Sequence, residues 1–331
     1  TLTIDACSIC QLHCPTCPTA EQKDPAVGRG FLKASVLERL LKSYRGFRSI
    51  EFENRGEFFL NPELPALLEI GRKFGIPMAS NSGVNLNSAD DDVLEALVRF
   101  GFRRLLCSID GASSATYSMY RRGGNFETVL DHLRKINNFK RKYRSPFPRL
   151  VWQFVVFGHN EHELPHARSL AKELDMDFAP KMAWDSSWSP IRDPDWVKRH
   201  TGWTSTGREE FAVNRGRAYM RSVCYSLWTS PKINWDGRVL GCCWNSWQDF
   251  GANAFLEGYL PAIRSPGLTH ARHLLRGIPG DSGDLPCHVC PLYQQMSGNR
   301  TWLTPRELMF QVWKKKIGHF LFHRFPSLFR R

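Results

Sequence analysis

Three cysteines close to the start of the chain have the spacing of metal ligands. Cys10, Cys14 and Cys17 form a C-x3-C-x2-C pattern directly after a short alternation of apolar and polar residues. Iron–sulfur clusters are held by cysteine thiolates, usually four for a cubane cluster. Three thiolates in one loop, with no fourth nearby, would leave one iron open to bind a small molecule. Zinc is the less favoured alternative, because zinc loops usually combine two C-x2-4-C pairs into a closed tetrahedron.

A second set of cysteines lies in the last third of the chain. It consists of Cys224, Cys242, Cys287 and Cys290. An Asp-Gly turn at Gly237 predicts a hairpin, which would bring the first two cysteines toward the later C-x2-C pair. Four thiolates can hold one closed iron–sulfur cluster or a structural zinc ion, and spacing alone favours neither. Cys243 is predicted to be a spare thiol, and Cys7 and Cys107 are predicted to be core residues.

The elements that must position these cysteines alternate between strand and helix. Apolar spacing predicts a first strand around Leu2 and Ile4, later strands at 49–52, 77–81, 104–109, 150–157 and 178–184, and intervening helices at 31–44, 64–74, 90–100, 126–142 and 161–174. Such alternation indicates right-handed βαβ units and a parallel sheet. Six units predict an α/β fold, a partial (β/α)6 TIM-like barrel, with the working groups at the carboxyl ends of its strands.

The composition is that of an ordinary globular protein with an excess of positive charge. The chain has 331 residues, of which 42% are hydrophobic and 23% charged, and a net charge of +13. No run approaches the ~20 apolar residues of a membrane span, and no signal pattern precedes the first cysteines. Ten cysteines in clustered spacings therefore predict metal binding in a reducing cytoplasm. The charge predicts an anionic partner, but no recognisable nucleic-acid module is present, so no nucleic acid is expected.

The first cysteine loop resembles the signature of the radical S-adenosylmethionine enzymes. In that family the open iron binds the amino and carboxylate groups of S-adenosylmethionine. Many members carry an aromatic residue before the third cysteine, whereas this chain has Thr16, as is common in members with a second cluster domain. The resemblance implies a [4Fe–4S] cluster and S-adenosylmethionine as cofactors. It also implies reductive cleavage of S-adenosylmethionine to a 5′-deoxyadenosyl radical that takes hydrogen from a substrate C–H bond.

The resemblance further implies contacts to S-adenosylmethionine at the ends of successive strands. The implied residues are Arg55, Gly56, Glu57, Ser80, Asn81, Ser108, Arg121 and Gln153. Arg55-Gly56-Glu57-Phe58 stands where relatives have Gly-Gly-Glu-Pro and would receive the ammonium group. Arg121 would pair with the carboxylate as a planar fork, and Gln153 would reach the ribose.

The second cysteine set resembles the auxiliary-cluster domain of the SPASM and twitch subfamilies. The pattern C-x12-G-x4-C followed by C-x2-C matches, and no cysteine follows Cys290, as in the shorter twitch form. This resemblance implies a second [4Fe–4S] cluster on Cys224, Cys242, Cys287 and Cys290. The predicted domains are a core at 1–190, a connector at 191–223, the small auxiliary domain at 224–295 and a basic amphipathic tail at 296–331.

The predicted reaction is oxidation of a sugar- or alcohol-like small molecule, with an anionic substrate favoured by the charge. The auxiliary cluster would accept an electron, and an external reductant such as flavodoxin or ferredoxin would be needed. Asp185, at the end of the sixth strand, is the candidate base. Cys243 would return a hydrogen atom in an epimerase. Peptide or protein modification, epimerisation and a non-catalytic electron-transfer protein remain alternatives.

The tail has a separate predicted role. Residues 300–331 contain eight Lys or Arg and one Glu. A helical stripe is formed by Met309, Val312, Trp313, Ile317, Phe320 and Leu321, with Lys314 and Lys315 opposite. Packing on its own domain is the ordinary interpretation of such a helix, but a basic amphipathic helix also fits peripheral contact with an anionic membrane surface.

Overall fold

The computed structural model describes residues 1–20, 24–53, 55–280 and 283–324, with side chains described as far as residue 315. The strands are β1 (Leu2–Asp5), β2 (Ile50–Glu53), β3 (Met78–Val84), β4 (Arg104–Ser108), β5 (Arg149–Val156), β6 (Met176–Met182), β7 (Lys232–Ile233) and β8 (Val239–Gly241). The α-helices are α1 (Ala34–Ser43), α2 (Leu64–Lys73), α3 (Asp91–Arg99), α4 (Ser114–Tyr120), α5 (Phe126–Lys142), α6 (Leu164–Glu173), α7 (Pro194–Thr201), α8 (Arg208–Arg215), α9 (Ser226–Thr229), α10 (Tyr259–Ile263), α11 (Pro266–Leu274), α12 (Pro291–Gly298) and α13 (Pro305–Arg324).

One sheet carries all of these strands in the order β6-β5-β4-β3-β2-β1-β7-β8. Strands β1 to β6 pair in parallel with their neighbours, and a helix packs between each pair along the chain. This topology confirms the predicted partial (β/α)6 barrel. The sixth strand begins two residues earlier than expected, at Met176, and the predicted connector at 191–223 contains α7 and α8.

The two faces of each barrel strand have different chemistry, as strand β2 illustrates. Ile50 and Phe52 are fully buried in the main core under the helices. Glu51 and Glu53, which alternate with them, line a cavity inside the barrel. Because side chains alternate across a strand, the apolar set packs the barrel wall and the polar set is presented to the interior.

The hairpin of the second cysteine set extends the same sheet. β7 pairs in parallel with β1, so that Thr3 lies opposite Lys232, and pairs antiparallel with β8. Lys232 is buried, with its Nζ 3.0 Å from Asp5 Oδ2 and 3.3 Å from Glu53 Oε2. β1 leads into the first cysteine loop and β8 ends beside Cys242. The first cysteine loop and Cys242 therefore follow two strands of one sheet, β1 and β8, which are separated only by β7.

Lys232→Met is expected to destabilise the fold strongly. Burial alone would lower the pKa of Lys232, but the charges of Asp5 and Glu53 raise it, and without this cation the two carboxylates face each other uncompensated. Breaking a buried ion pair from one side costs about 3–5 kcal/mol. The exposed Lys135–Asp91 pair provides the control, because Lys135→Met should cost only ~0–1 kcal/mol. Urea unfolding of both variants measures the difference, and equal losses would contradict the anchoring role of Lys232.

The described side chains of the tail helix α13 do not follow the expected packing of its apolar stripe against the protein. Lys315 Nζ donates to Ser230 Oγ and faces the barrel, whereas Met309, Phe310 and Trp313 are exposed. The predicted stripe positions Ile317, Phe320 and Leu321 lie outside the described side chains. No helix in the described residues is long and apolar enough to cross a membrane. Contact of the tail with a membrane surface stays a prediction.

Candidate active site

The first cysteine loop, residues 9–17, is pressed against the loop that follows β2. The Gly56 N–H donates to the Cys7 carbonyl at 3.0 Å, and the Glu57 N–H donates to the Ile9 carbonyl at 2.7 Å. A Cβ atom on Gly56 would lie 2.1 Å from the Ile9 carbonyl oxygen. Only glycine permits this approach, so the match of Gly56 to the family motif has a steric reason in this chain.

The three thiols of this loop lie together at the mouth of the barrel. Cys14 is buried and Cys10 and Cys17 are half-buried, all within a small apolar cluster that includes Tyr120 and Phe157. Burial raises the pKa of Cys10 to about 12 and also raises that of Cys14. Both thiols therefore keep their protons at neutral pH until a metal displaces them.

Arg121 lies beside the cysteine loop, and its guanidinium is already paired with an acid. Arg121 Nε and Nη2 lie 2.6 and 2.5 Å from Asp110 Oδ2, and Nη1 lies 3.8 Å from the Cys14 sulfur. Asp110 Oδ1 also accepts the Val155 N–H at 2.7 Å. Asp110 thus fixes the orientation of Arg121. Sequence reasoning missed Asp110 as a site residue, although its position directly after β4 is the signal that could have identified it.

Glu57 is buried, and its carboxylate connects the loop after β2 to the loop after β3. Its Oε1 accepts the Phe59 N–H at 3.2 Å and its Oε2 accepts the Asn85 N–H at 2.7 Å. Burial raises its pKa to about 7. Asn85, which follows β3, also accepts a hydrogen bond from Gln11 Nε2 at 3.1 Å and lies 3.9 Å from the Cys10 sulfur. Gln11 and Asn85 are further residues that sequence reasoning missed.

A row of polar side chains crosses the barrel interior from β4 to β6. Gln153 Nε2 donates to Ser108 Oγ at 3.2 Å, and Lys181 Nζ donates to Gln153 Oε1 at 3.1 Å. Parallel neighbours bring these residues together, because Ser108 pairs with Gln153 in the register of β4 and β5. The row joins two predicted residues to Lys181, which was not predicted.

The two predicted residues of β3 point to opposite faces of the strand. Ser80 is fully buried, and its Oγ has no hydrogen-bond partner within the described part of the chain. Asn81 faces the barrel interior, where its N–H and its Nδ2 donate to the Glu51 carboxylate at 2.6 and 2.8 Å. Of the two, the structure shows only Asn81 in the cavity inside the barrel.

Arg55 reaches the auxiliary region. Its Nη2 donates to the carbonyls of Cys243 at 2.8 Å and Trp244 at 3.1 Å, while Nη1 lies 3.8 Å from Asp24 Oδ1. The residue that replaces the first glycine of the family motif therefore connects the loop after β2 to the second cysteine set. Its predicted contact with S-adenosylmethionine stays a prediction.

The four cysteines of the second set line one small enclosed cavity. They are Cys224, Cys242, Cys287 and Cys290. The remaining walls are mostly apolar, with Trp247 and Phe250 among them. Burial raises the pKa of Cys242 to about 12, although the N–H groups of Asn245 and Trp244 lower it. A closed, apolar cavity with four thiols is a suitable ligand set for an iron–sulfur cluster.

The geometry of both cysteine sets bears on the zinc alternative. Within the ranges that the structure describes, no three His, Cys, Asp or Glu side chains are close enough together to hold a single metal ion. Zinc would draw its thiolates to ~2.3 Å from one point, whereas the thiolates of a cubane cluster bind different irons. Which metal or cluster either cysteine set holds stays a prediction.

Cys243 lies outside the four-cysteine cavity and lines the cavity inside the barrel. That cavity has a volume of about 660 Å³ and is also lined by Glu51, Glu53, Lys232 and Lys315. Cys243 is accessible to solvent through the cavity, although protein surrounds it on most sides, and this burial raises its pKa. Cys243 is thus placed as a free thiol between the barrel interior and the second set.

The Glu51 carboxyl is expected to make the protein less stable as the pH rises. Burial raises its pKa to about 8, against ~4.3 for an exposed glutamate. Between these values the folded chain keeps a proton that the unfolded chain loses, so the free energy of unfolding falls with rising pH and levels off above the folded pKa. Glu51→Gln should remove this slope.

At about pH 9 the Glu51→Gln variant should be more stable than wild type by on the order of 2 kcal/mol. This difference is smaller than the full pKa shift of Glu51 would give, because the carboxyl faces a cavity where solvent screens its charge. Urea unfolding from about pH 5 to about pH 9 measures the effect. Glu209→Gln, at an exposed position of α8, should leave the pH dependence unchanged. An unchanged slope in Glu51→Gln would contradict the prediction.

Asp185 is exposed in the loop after β6. Its Oδ1 accepts hydrogen bonds from the N–H and the hydroxyl of Ser187 at 2.8 and 2.5 Å, and these bonds lower its pKa. Such an arrangement is that of a turn-stabilising aspartate. The base role of Asp185 stays a prediction, and Lys181 is the ionisable side chain of β6 that contacts the polar row.

Known structures with the same fold were found by comparison. SuiB from Streptococcus suis bound to S-adenosylmethionine matches with a TM-score of 0.63 and 15% identity over 88% of this chain and 71% of SuiB. SuiB bound to precursor peptide SuiA matches with a TM-score of 0.59 and 15% identity over 88% of this chain and 70% of that chain. Native anSMEcpe with bound AdoMet and Cp18Cys peptide matches with a TM-score of 0.57 and 16% identity over 99% of this chain and 97% of that chain.

The matched structures are radical S-adenosylmethionine enzymes. The chain therefore has the fold of that superfamily, which confirms at the level of the fold the resemblance expected from the first cysteine loop. No protein-family model and no curated protein matches the sequence.

Proposed function

We propose that this protein is a radical S-adenosylmethionine enzyme that oxidises a small, anionic, sugar- or alcohol-like molecule. The observation that carries the proposal is the position of the first three thiols. They lie at the carboxyl end of β1, next to Arg121 and the strand ends that face the barrel interior. A fold of this superfamily with three thiols in one apolar cluster at that position supports reductive cleavage of S-adenosylmethionine.

Different residues at the mouth of the barrel would hold the cluster and S-adenosylmethionine. Cys10, Cys14 and Cys17 would hold a [4Fe–4S] cluster, which with S-adenosylmethionine supplies the 5′-deoxyadenosyl radical. Arg121, oriented by Asp110, would bind the carboxylate of S-adenosylmethionine as a charge-assisted hydrogen-bond donor. The aromatic and aliphatic side chains around Cys14 exclude water from the reacting groups.

The second cysteine set would provide the electron acceptor. Loss of a hydrogen atom to the deoxyadenosyl radical leaves a substrate radical, and oxidation needs one further electron and one proton to leave. Cys224, Cys242, Cys287 and Cys290 would hold a second [4Fe–4S] cluster for the electron, and Asp185 would be the candidate base for the proton. The shared sheet and the hydrogen bond from Arg55 to the Cys243 carbonyl would keep the two cysteine sets in fixed positions relative to each other. An external reductant such as flavodoxin or ferredoxin, in the cytoplasm, would start the cycle.

Peptide or protein modification is the second candidate. Two of the matched structures contain a peptide: SuiB is bound to precursor peptide SuiA, and anSMEcpe is bound to the Cp18Cys peptide. The open cavity of about 660 Å³ inside the barrel has room for the side chain of a peptide as well as for a small molecule. A substrate screen therefore includes both classes.

Anaerobic reconstitution of the full chain tests the proposal. Iron and sulfide are counted, dithionite and S-adenosylmethionine are added, and 5′-deoxyadenosine is measured by liquid chromatography. About eight irons per chain, four per cluster, together with release of 5′-deoxyadenosine would support the proposal. Four irons with one zinc would overturn the auxiliary cluster and the oxidation step. Two clusters without 5′-deoxyadenosine, with and without the substrate panel, would favour an electron-transfer protein.

Cys242→Ser and Cys243→Ser are expected to differ sharply in iron content. Cys242 lines the closed four-cysteine cavity, so its serine variant should lose the second cluster, about four irons, while it still releases 5′-deoxyadenosine. Cys243 faces the barrel interior, so its variant should keep all of its iron. Iron analysis and electron paramagnetic resonance distinguish the two variants. The opposite pattern would make Cys243 the ligand.

A further inference from the structure

Two cations lie at the carboxyl end of β6, and neither forms an ion pair within the described residues, although the charge of Asp110 acts on Lys181 from further away. Lys181 Nζ donates to Gln153 Oε1 at 3.1 Å, and Arg208 Nη2, at the start of α8, donates to the Met182 carbonyl at 3.2 Å. In the described parts of the chain, no carboxylate forms an ion pair with either side chain. Each of the two cations is therefore held by a neutral oxygen alone.

The guanidinium of Arg208 has donors that the protein leaves unused. Its Nε and Nη1 are buried and have no hydrogen-bond partner among the described residues. Its Cζ lies 4.1 Å from the ring centroid of Trp184 and 5.1 Å from that of Tyr219. These rings shield the guanidinium from water but accept no strong hydrogen bond. Buried, unpaired donors on a charged group are costly, so the site lacks an acceptor that a ligand can supply.

The two cations also disfavour each other. Burial and the neighbouring charge of Arg208 lower the pKa of Lys181, and burial lowers the pKa of Arg208 to about 10. Arg208 is therefore charged at neutral pH. An anion placed between them would relieve both the repulsion and the missing hydrogen bonds. A guanidinium with two free donors suits the two oxygens of a carboxylate or phosphate.

Lys181 lies next to the polar row and within reach of the charge of Cys243. Lys181 is the end of the polar row that Ser108 and Gln153 form across the barrel interior. The rings of Trp184 and Trp244 are also in contact, with their centroids 4.7 Å apart. This contact joins the loop after β6 to the loop that carries Cys243. A ligand held here would lie between the first cysteine loop and the second cysteine set.

We propose that Lys181 and Arg208 form the anion-binding subsite of the substrate, which carries a carboxylate or phosphate group. This inference rests on the proposed function for the identity of the site, and it assigns the anionic group of that substrate to a named pair of residues. Lys181 and Arg208 bind and orient the substrate, and the hydrogen atom is taken from another part of the same molecule.

Calorimetric titration of the reconstituted full chain tests the subsite. The protein is loaded with S-adenosylmethionine, so that the carboxylate of that cofactor is already bound, and is titrated at constant ionic strength with pyrophosphate or with citrate. These two probes distinguish phosphate from carboxylate recognition. Lys181→Gln and Arg208→Gln should each weaken binding of the preferred anion about ten-fold or more, as expected for a lost hydrogen bond between charged groups.

Arg168→Gln is the matched control. Arg168 also donates to a carbonyl, that of His200 at 2.6 Å, and also lies over an aromatic ring, 5.6 Å from the centroid of Phe178. It is on α6, away from Lys181. Its loss changes the net charge equally, so it should leave anion binding within about two-fold. Arg208→Lys, which keeps the charge, should lie between wild type and Arg208→Gln and guards against a folding defect.

Three results would overturn the inference. These are absence of saturable one-to-one binding in the wild type, equal weakening in all three glutamine variants, and reduced affinity for S-adenosylmethionine in Lys181→Gln or Arg208→Gln with unchanged anion binding. Release of 5′-deoxyadenosine is measured on the same samples. Cleavage without anion binding would leave the proposed function standing and remove only the subsite, whereas anion binding without cleavage would do the reverse.

Discussion

Replacement of Cys10, Cys14 and Cys17 by alanine is expected to abolish release of 5′-deoxyadenosine, a fall of at least ~10³-fold. The cofactor carries the difficult chemistry, so no other side chain of the mouth can compensate for a lost cluster. The iron content should fall by about half, because the four cysteines of the second set lie in a separate cavity. Iron analysis and product chromatography measure both effects.

Cys107→Ala is the control for that experiment. Cys107 is fully buried in the core on β4, so its loss removes a thiol without touching either cysteine set. The variant should keep the iron content and cleavage activity of the wild type. Unchanged iron in the triple variant would show that the first loop holds no cluster.

Gly56→Ala adds a single methyl group, but it should lower the activity nearly as much as replacement of the three cysteines. The new Cβ would lie 2.1 to 2.5 Å from three backbone atoms of Ile9, and backbone cannot move aside as a flexible side chain can. Overpacking of this kind costs about 1–3 kcal/mol, and here the strain falls on the loop that carries Cys10. We expect loss of the first cluster with retention of the second, and at least ~100-fold lower cleavage of S-adenosylmethionine.

The Gly56 prediction has a matched control in Gly298, at the end of α12. A Cβ atom there meets nothing within 4 Å, so Gly298→Ala should leave both clusters intact and stabilise its helix slightly. Iron content and the unfolding midpoint of both variants are compared. A Gly56→Ala protein with full iron and full activity would mean that the two loops can separate at little cost.

Local features of the sequence predicted the framework of this protein well. The alternation of apolar periods predicted six strands and their helices, because a period of two or of 3.6 residues is a property of short segments. The C-x3-C-x2-C spacing also predicted a shared thiol loop, since the first and third cysteines are only seven positions apart. The four later cysteines were grouped by motif, and the structure places all of them around one cavity.

The partners of individual side chains depended on contacts between residues far apart in the chain. The motif assigned Arg55 to the cofactor, but its guanidinium contacts carbonyls at 243 and 244, almost two hundred positions away. Arg121 was predicted from its motif, while Asp110, which orients it, was not. Strand order brings such residues together, and no local period encodes which side chain will meet which.

The pair of Lys181 and Arg208 is the clearest case of a site that the local sequence could not predict. Lys181 occupies an ordinary strand position and Arg208 an ordinary helix start, and neither belongs to a motif. Both side chains lie at the end of β6 without an ion-pair partner among the described residues, which follows from the path of the chain between β6 and α8. Residue type and spacing thus predicted the two groups of cysteines and the alternation of strands and helices, because both are local patterns. Tertiary packing decided which charges are buried without a partner, because burial and pairing are properties of the folded whole.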